Sequence, residues 1–343
     1  MMQIDSVGLV CPVGHTAAAA CAALRAGLDA FSELPFWDAN AMPVIGAMMA
    51  DLDLDLHDRQ RLLDMLAMAI EDCLSGVPAL RSEEVPLLIG LAEPERPGAA
   101  IWSGESLLPE LEQRLCRRFH PDLSMAIAKG HTSGTKGLRR AQDYLQNLAV
   151  PACIVCAVDS YINASSIFWL DQSWRLKREG HTDGVMPGEA AAAALVRRRS
   201  AEDDPAGVHV LGLGFGLEPA SILTSEPLLA VGLADACRRA LAQAGWEFHH
   251  LDFRISDVTG ESYGFRELAL VEGRLARVVR AEPQPLWHPA DAIGDTGAAA
   301  GLVQLVMATA AWRKGYAPGA RAACFTSAVK GDRAVALLQS ANA

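Results

Sequence analysis

The stretch Gly294-Asp295-Thr296-Gly297-Ala298-Ala299-Ala300-Gly301-Leu302 has a counterpart far upstream, Gly130-His131-Thr132-Ser133-Gly134-Thr135-Lys136-Gly137-Leu138. Both open Gly-x-Thr, reach Gly-Leu after the same interval, and stand where a strand-like run gives way to a helical pattern. A glycine-rich turn of this kind, built twice in one chain, constrains the fold more than any other feature, because it implies two copies of one strand–helix unit.

The rest of the chain follows the same grammar. In the first half, apolar runs at Ile4–Val10, Val85–Ala92, Leu123–Ala128, Ala152–Ser160 and Ala191–Arg198 read as strands. Between them lie helical patterns: an alanine-rich segment through Gly27, His57–Leu74, Leu107–Phe119 and the one opened by Gly130. Continuous apolar strands are what a sheet covered on both faces requires. After a charged, proline-marked linker at Arg197–His209, the second half repeats the order. Strands are predicted at Val208–Phe215, Asp252–Val258, Ala322–Val329 and Ala334–Gln339, and helices at Pro227–Ala244, Phe265–Val279 and Gly294–Gly315. The expectation is an α/β fold of mainly parallel sheets between helices, with halves at 1–205 and 206–343 in one compact unit.

Composition narrows the function classes. A formal charge of −11 argues against nucleic acid, since neutralising phosphates needs a basic face. The most apolar helical pattern, Gly297–Trp312, is too short for a membrane span, and the amino terminus lacks a signal-peptide pattern, so a cytoplasmic protein is expected. The eight cysteines are scattered through apolar segments and read as free buried thiols. Cys153 and Cys156 form a CxxC on a predicted strand, where residues three apart face opposite ways and make a poor metal or redox pair. No cofactor and no metal site is expected.

Several of these segments resemble the β-ketoacyl-acyl-carrier-protein synthases. The opening Ile4–Gly27 is similar to that family's amino terminus, Asp183–Val196 to its DGxxxGEGAxxLVL, and Ala292–Ala308 to its NIGHTxAAAGxxGLxK; Asp257–Gly273 falls where it has a His-Gly-Thr turn. The resemblance implies the thiolase fold, five αβαβα layers built from two βαβαβαββ halves. It also implies that the chain is short for the family and that chemistry has been lost. His131 stands in the nucleophilic cysteine's place, Thr259 and Asp295 in those of the two active-site histidines, and Ala290 in that of a lysine. The glycine-rich phenylalanine gate is replaced by Ser327–Asp332, while Gly188-Glu189 is retained as architecture. A histidine cannot carry a transferable acyl thioester, and an acidic Asp295 would repel the enolate that the family stabilises.

Two readings of the site remain. His131, Thr259, Ala290 and Asp295 mark a vestigial pocket in which His131 caps its helix and pairs with Asp295, or His131 and Asp295 act as a hydrolase with a hydroxyl from Ser133, Thr132 or Thr259. The first makes the chain a pseudoenzyme working through protein contacts. Such relatives serve as chain-length-factor partners of an active ketosynthase, or accompany effector, adaptor and spike proteins of type VI secretion; short length and extensive substitution favour the second. A homodimer paired through the Leu123–Ala128 edge is expected unless another protein covers that edge. The loop Ala92–Trp102 and the Trp287-His288 pair are candidate contact surfaces.

Overall fold

The computed structural model describes residues 1–52, 58–77, 79–100, 107–199, 207–282 and 284–340. The first half runs β1 (Met2–Val10), α1 (Ala17–Arg25), β2 (Phe31–Trp37), β3 (Pro43–Ala47), α2 (Asp58–Ser75), β4 (Leu87–Leu91), α3 (Leu107–Leu115), β5 (Met125–Ala128), α4 (Ser133–Asn147), β6 (Cys153–Ser160), α5 (Ala164–Gln172) and β7 (Glu189–Arg198). The second runs β8 (Val208–Leu217), α6 (Val231–Ala244), β9 (Phe253–Ser256), α7 (Ser262–Leu275), β10 (Leu286–Trp287), α8 (Ala290–Ile293), α9 (Ala300–Arg313), β11 (Arg321–Ser327) and β12 (Asp332–Ser340).

The duplication is visible in the strand order. The first sheet is ordered β5-β4-β6-β7-β1 and the second β10-β9-β11-β12-β8, joined where Met2–Ile4 pairs with Val208–Val210. Replacing β1, β4, β5, β6 and β7 by β8, β9, β10, β11 and β12 converts one order into the other. Sheets that are mainly parallel, as the sequence implied, are not what forms. The β4–β5, β4–β6, β9–β10 and β9–β11 pairs are parallel, but β1–β7, β6–β7, β8–β12, β11–β12 and β1–β8 are antiparallel. The turn between β11 and β12 is too short to cross over the sheet, which makes that pair a hairpin.

Strand alternation sets the layers. On β7, Ala190, Ala192, Ala194 and Val196 face a central core shared with α4 and α9, while Ala191, Ala193 and Leu195 face an outer core with α2 and α3. On β12, Ala336 and Leu338 turn to the central core, and Val335 and Leu337 to a third core under α6 and α7. The result is five layers, helix–sheet–helix–sheet–helix. The middle helix α9 is buried on nearly every side, and its two buried polar side chains both donate to backbone carbonyls, Gln304 to Phe325 O and Thr309 to Leu305 O. Cys153 and Cys156 belong to different cores, as expected for residues three apart on a strand, and Cys116 is the one exposed thiol of the eight.

Other expectations are revised. The hairpin β2–β3, helix α5 and the two-residue strand β10 have no apolar period long enough to announce them. The strand ends reach to Arg198 and start at Val208, so the flanks of the supposed linker belong to the sheets; residues 200–206, with the boundary between halves, lie outside the described residues, as does Trp102. In the described part of the loop after Ala92, Glu93 and Arg96 are buried, while Pro94, Glu95 and Pro97 are exposed.

Candidate functional site

The carboxyl ends of β4, β6, β9 and β11 converge with the starts of α4 and α9. His131 lies in the single 3-10 turn Gly130–Thr132 that opens α4, and the equivalent turn before α9 is Gly297–Ala299. The two sequence motifs are therefore out of register by three residues in space. Gly130 matches Gly297, and Asp295 precedes its turn instead of sitting inside it. Both glycines adopt left-handed φ, +53° and +49°, and both face a carboxylate. A Cβ on Gly130 would lie 2.1 Å from Glu93 Oε1, and one on Gly297 2.0 Å from Asp159 Oδ2. These turns are shaped to receive acids; the close helix contact expected of the motif falls at Gly134, where a Cβ would meet Leu302 of α9 at 2.8 Å.

Asp295 is held in place by its own backbone. Its N–H donates to Met186 O (2.9 Å) and its carbonyl accepts from Gly188 N (3.1 Å), which ties this segment to the entry of β7. Its Oδ1 accepts from Gly297 N (2.9 Å) and lies 2.9 Å from His131 Nε2. The histidine and aspartate singled out in the sequence are thus brought together. Burial by itself would drive the imidazole neutral, but the Asp295 carboxylate overrides it and raises the His131 pKa to about 9. Burial likewise opposes ionisation of Asp295, and His131 still holds it below its usual value. The pair is an imidazolium–carboxylate ion pair at neutral pH.

Thr259 is not the residue facing this pair. It lies further along the loop, with Oγ1 3.5 Å from Glu261 Oε2. Asp257, the first residue beyond β9, points at the site, accepts from Ser327 N (2.7 Å), and has its pKa pushed by burial up to about 6, partly offset by His131. The strand expected from the sequence runs to Val258 and so places Asp257 inside it, whereas the observed strand stops at Ser256. Ala290 begins α8 and does not border the cavity.

The cavity itself is a chamber of about 50 Å³ bordered by His131, Asp257, Thr259, Asp295, Ser327 and Val329. Ion pairs wall it in. Arg175 donates from Nε and Nη2 to Glu261 (both 2.7 Å) and Arg333 Nε to Glu267 (2.7 Å); outside the lining, Arg96 Nη2 donates to Asp159 (2.5 Å). Glu189 is equally committed, accepting from Met49 N and Ser160 Oγ (both 2.8 Å) and pairing with Arg61. The candidate hydroxyls are occupied elsewhere. Thr132 Oγ1 donates to Lys129 O (3.0 Å) and Ser133 Oγ to Leu91 O (2.8 Å), while His131 Nδ1 has no hydrogen-bond partner among the described residues. The chamber has room for about one or two water molecules, far below the ~300–1,000 Å³ usual for a ligand site.

Among the described residues, no helix is long and apolar enough to cross a membrane. No family model and no curated protein matches the chain. Solved structures do. An oxazolomycin ketosynthase domain of Streptomyces albus superposes with a TM-score of 0.81 at 17% identity, over 99% of this chain and 75% of that one. A ketosynthase in complex with its chain length factor from Xenorhabdus doucetiae gives 0.75 at 15% over 99% and 98%, and the ishigamide ketosynthase/chain length factor 0.72 at 18% over 99% of each. At these identities the likeness is one of architecture, and the architecture is the thiolase-like fold of ketosynthases, as the sequence motifs implied.

Proposed function

We propose that the protein is a non-condensing, ketosynthase-fold accessory protein that acts by binding another protein. The observation that carries this reading is the His131–Asp295 ion pair closing a chamber of about 50 Å³ at the mouth of α4. A histidine held as imidazolium is neither nucleophile nor base, and the chamber cannot admit an acyl thioester. The same geometry favours this reading over a hydrolase, because Thr132 and Ser133 donate to backbone carbonyls and Thr259 Oγ1 lies 3.5 Å from Glu261 Oε2.

The surface that fits a partner is the edge of β5, which among the described residues pairs with β4 alone and carries Met125 and Ala126 exposed. An apolar edge with open backbone groups invites strand pairing. Reduced length had favoured a secretion accessory over a chain-length-factor role, yet the chains from the two ketosynthase/chain length factor complexes are spanned almost entirely. An active ketosynthase is therefore the first partner to test, and an effector, adaptor or spike protein of type VI secretion the second, supported by the extent of change at the site. Light scattering on the full chain, alone and mixed with a ketosynthase encoded beside it, is the experiment. Dimerisation or complex formation abolished by Ile127→Lys supports the reading. A monomer indifferent to every ketosynthase offered, with secretion proteins bound instead, moves the role to secretion. An acyl adduct on the protein after thioester treatment overturns it.

A further inference from the structure

A second cavity, of about 460 Å³, opens between α1, α9 and the edge strand β10, and shares no lining residue with the chamber. One wall is aromatic. The Trp287 ring packs against Phe253 (centroids 4.9 Å apart), which meets Trp312 edge-on at 5.6 Å, so the indole is anchored to the central core. Tyr316 lies 6.3 Å from Trp287 and carries the Arg25 guanidinium 4.2 Å above its ring.

The charges on the rim are unequal in their commitments. Asp29 Oδ1 accepts from Phe31 N (3.1 Å), and Asp291 pairs with His288 (2.6 Å). Among the described residues, Arg25 makes no hydrogen bond and no ion pair; stacking on Tyr316 is its one specific contact. An adjoining cleft of about 470 Å³ shares Cys21, Arg25 and Tyr316 and adds Lys314, a second cation without an ion pair among the described residues. In a chain of net charge −11, two cations are left here without ion pairs among the described residues, beside Asp29, which accepts from a backbone N–H. A stacked guanidinium keeps its planar fork of donors free for a carboxylate or phosphate, and a ring wall accepts a flat apolar body.

We infer that this cavity binds a planar aromatic anion, its ring against Trp287 and Tyr316 and its acidic head on Arg25 and Lys314. The volume is in the range of small-ligand sites and nearly ten times that of the chamber. The inference stands apart from the accessory-protein reading.

Calorimetric titration of the full chain with indole-3-acetate, and separately with adenosine monophosphate, tests it. Saturable binding is expected, weakened about tenfold by Arg25→Gln and partly restored by Arg25→Lys. Tighter indole-3-acetate would assign a carboxylate head and tighter nucleotide a phosphate head. Arg25 is exposed, so Arg25→Gln leaves the fold intact, and Trp37→Ala, at an exposed ring elsewhere, is expected to change nothing. No saturable binding of either probe at millimolar concentration, or binding insensitive to Arg25→Gln, overturns the inference.

Discussion

His131 Nε2 and Asp295 Oδ1, 164 residues apart in sequence, meet at 2.9 Å with both side chains about 95% withdrawn from solvent. Each sits at the start of a central helix. The positive helix end disfavours the imidazolium and favours the carboxylate, so the histidine depends on its partner for its charge. Asp295→Ala is expected to cost about 3–5 kcal/mol, because it breaks a buried pair, lets burial drive the imidazole neutral and leaves Gly297 N without its acceptor. A double substitution to leucine is expected to cost much less. Chemical denaturation of the three proteins at pH 7 measures both.

The same pair sets a pH window. The folded His131 pKa of about 9 lies above its ordinary 6.5, so its stabilisation is complete below 6.5 and lost as pH rises through 9. Asp295 is held below 3.8, so its contribution is present above that value and lost as pH falls through the lowered folded one. The His131 ring resonances should show no titration between pH 5 and roughly 8. A midpoint near 6.5 would mean that the pair does not form in solution.

Asp257 acts in the opposite sense. Its folded pKa of about 6 lies above the ordinary 3.8, so its effect on stability becomes unfavourable as pH rises between those values. Asp257→Asn, which can still accept from Ser327 N, is expected to stabilise the protein at pH 7.5 by about 1–2 kcal/mol and to have no such effect at pH 3.5. Unfolding curves at the two pH values give the comparison.

Gly130→Ala and Gly297→Ala should both be severely destabilising. Each would force a methyl group within about 2 Å of a carboxylate oxygen and onto a left-handed φ. A loss of more than about 2 kcal/mol is expected for each, against under ~1 kcal/mol for Gly273→Ala, where no atom lies within 4 Å of the new Cβ. Melting temperatures will rank them.

Malonyl and acyl thioesters are expected to leave the protein unmodified near His131. Burial raises the Cys153 thiol to about 12 and pushes the Cys156 thiol well above its usual value, so neither supplies a thiolate at neutral pH. Intact-mass measurement after incubation reads the result, with Cys116→Ser removing the exposed thiol as a background acceptor.

The order of elements, the buried strands and the duplication were legible in the sequence, because period and glycine punctuation are local properties of the chain. Continuous runs such as Ala190–Val196 announce a strand covered on both faces, and the predominantly apolar helix Ala300–Trp312 announces its place in the middle layer. The meeting of His131 with Asp295 could be anticipated only through a fold template; their spacing alone says nothing of it. Strand direction, the three-residue offset between the twin turns and the approach of Asp257 were settled in three dimensions. Each depends on where one strand end stops against another element. Asp257 rather than Thr259 faces His131 because β9 ends at Ser256, and no local pattern specifies that endpoint. The acids that Gly130 and Gly297 receive, Glu93 and Asp159, come from the loop after β4 and from β6, so the reason for those glycines exists only once the sheets have packed.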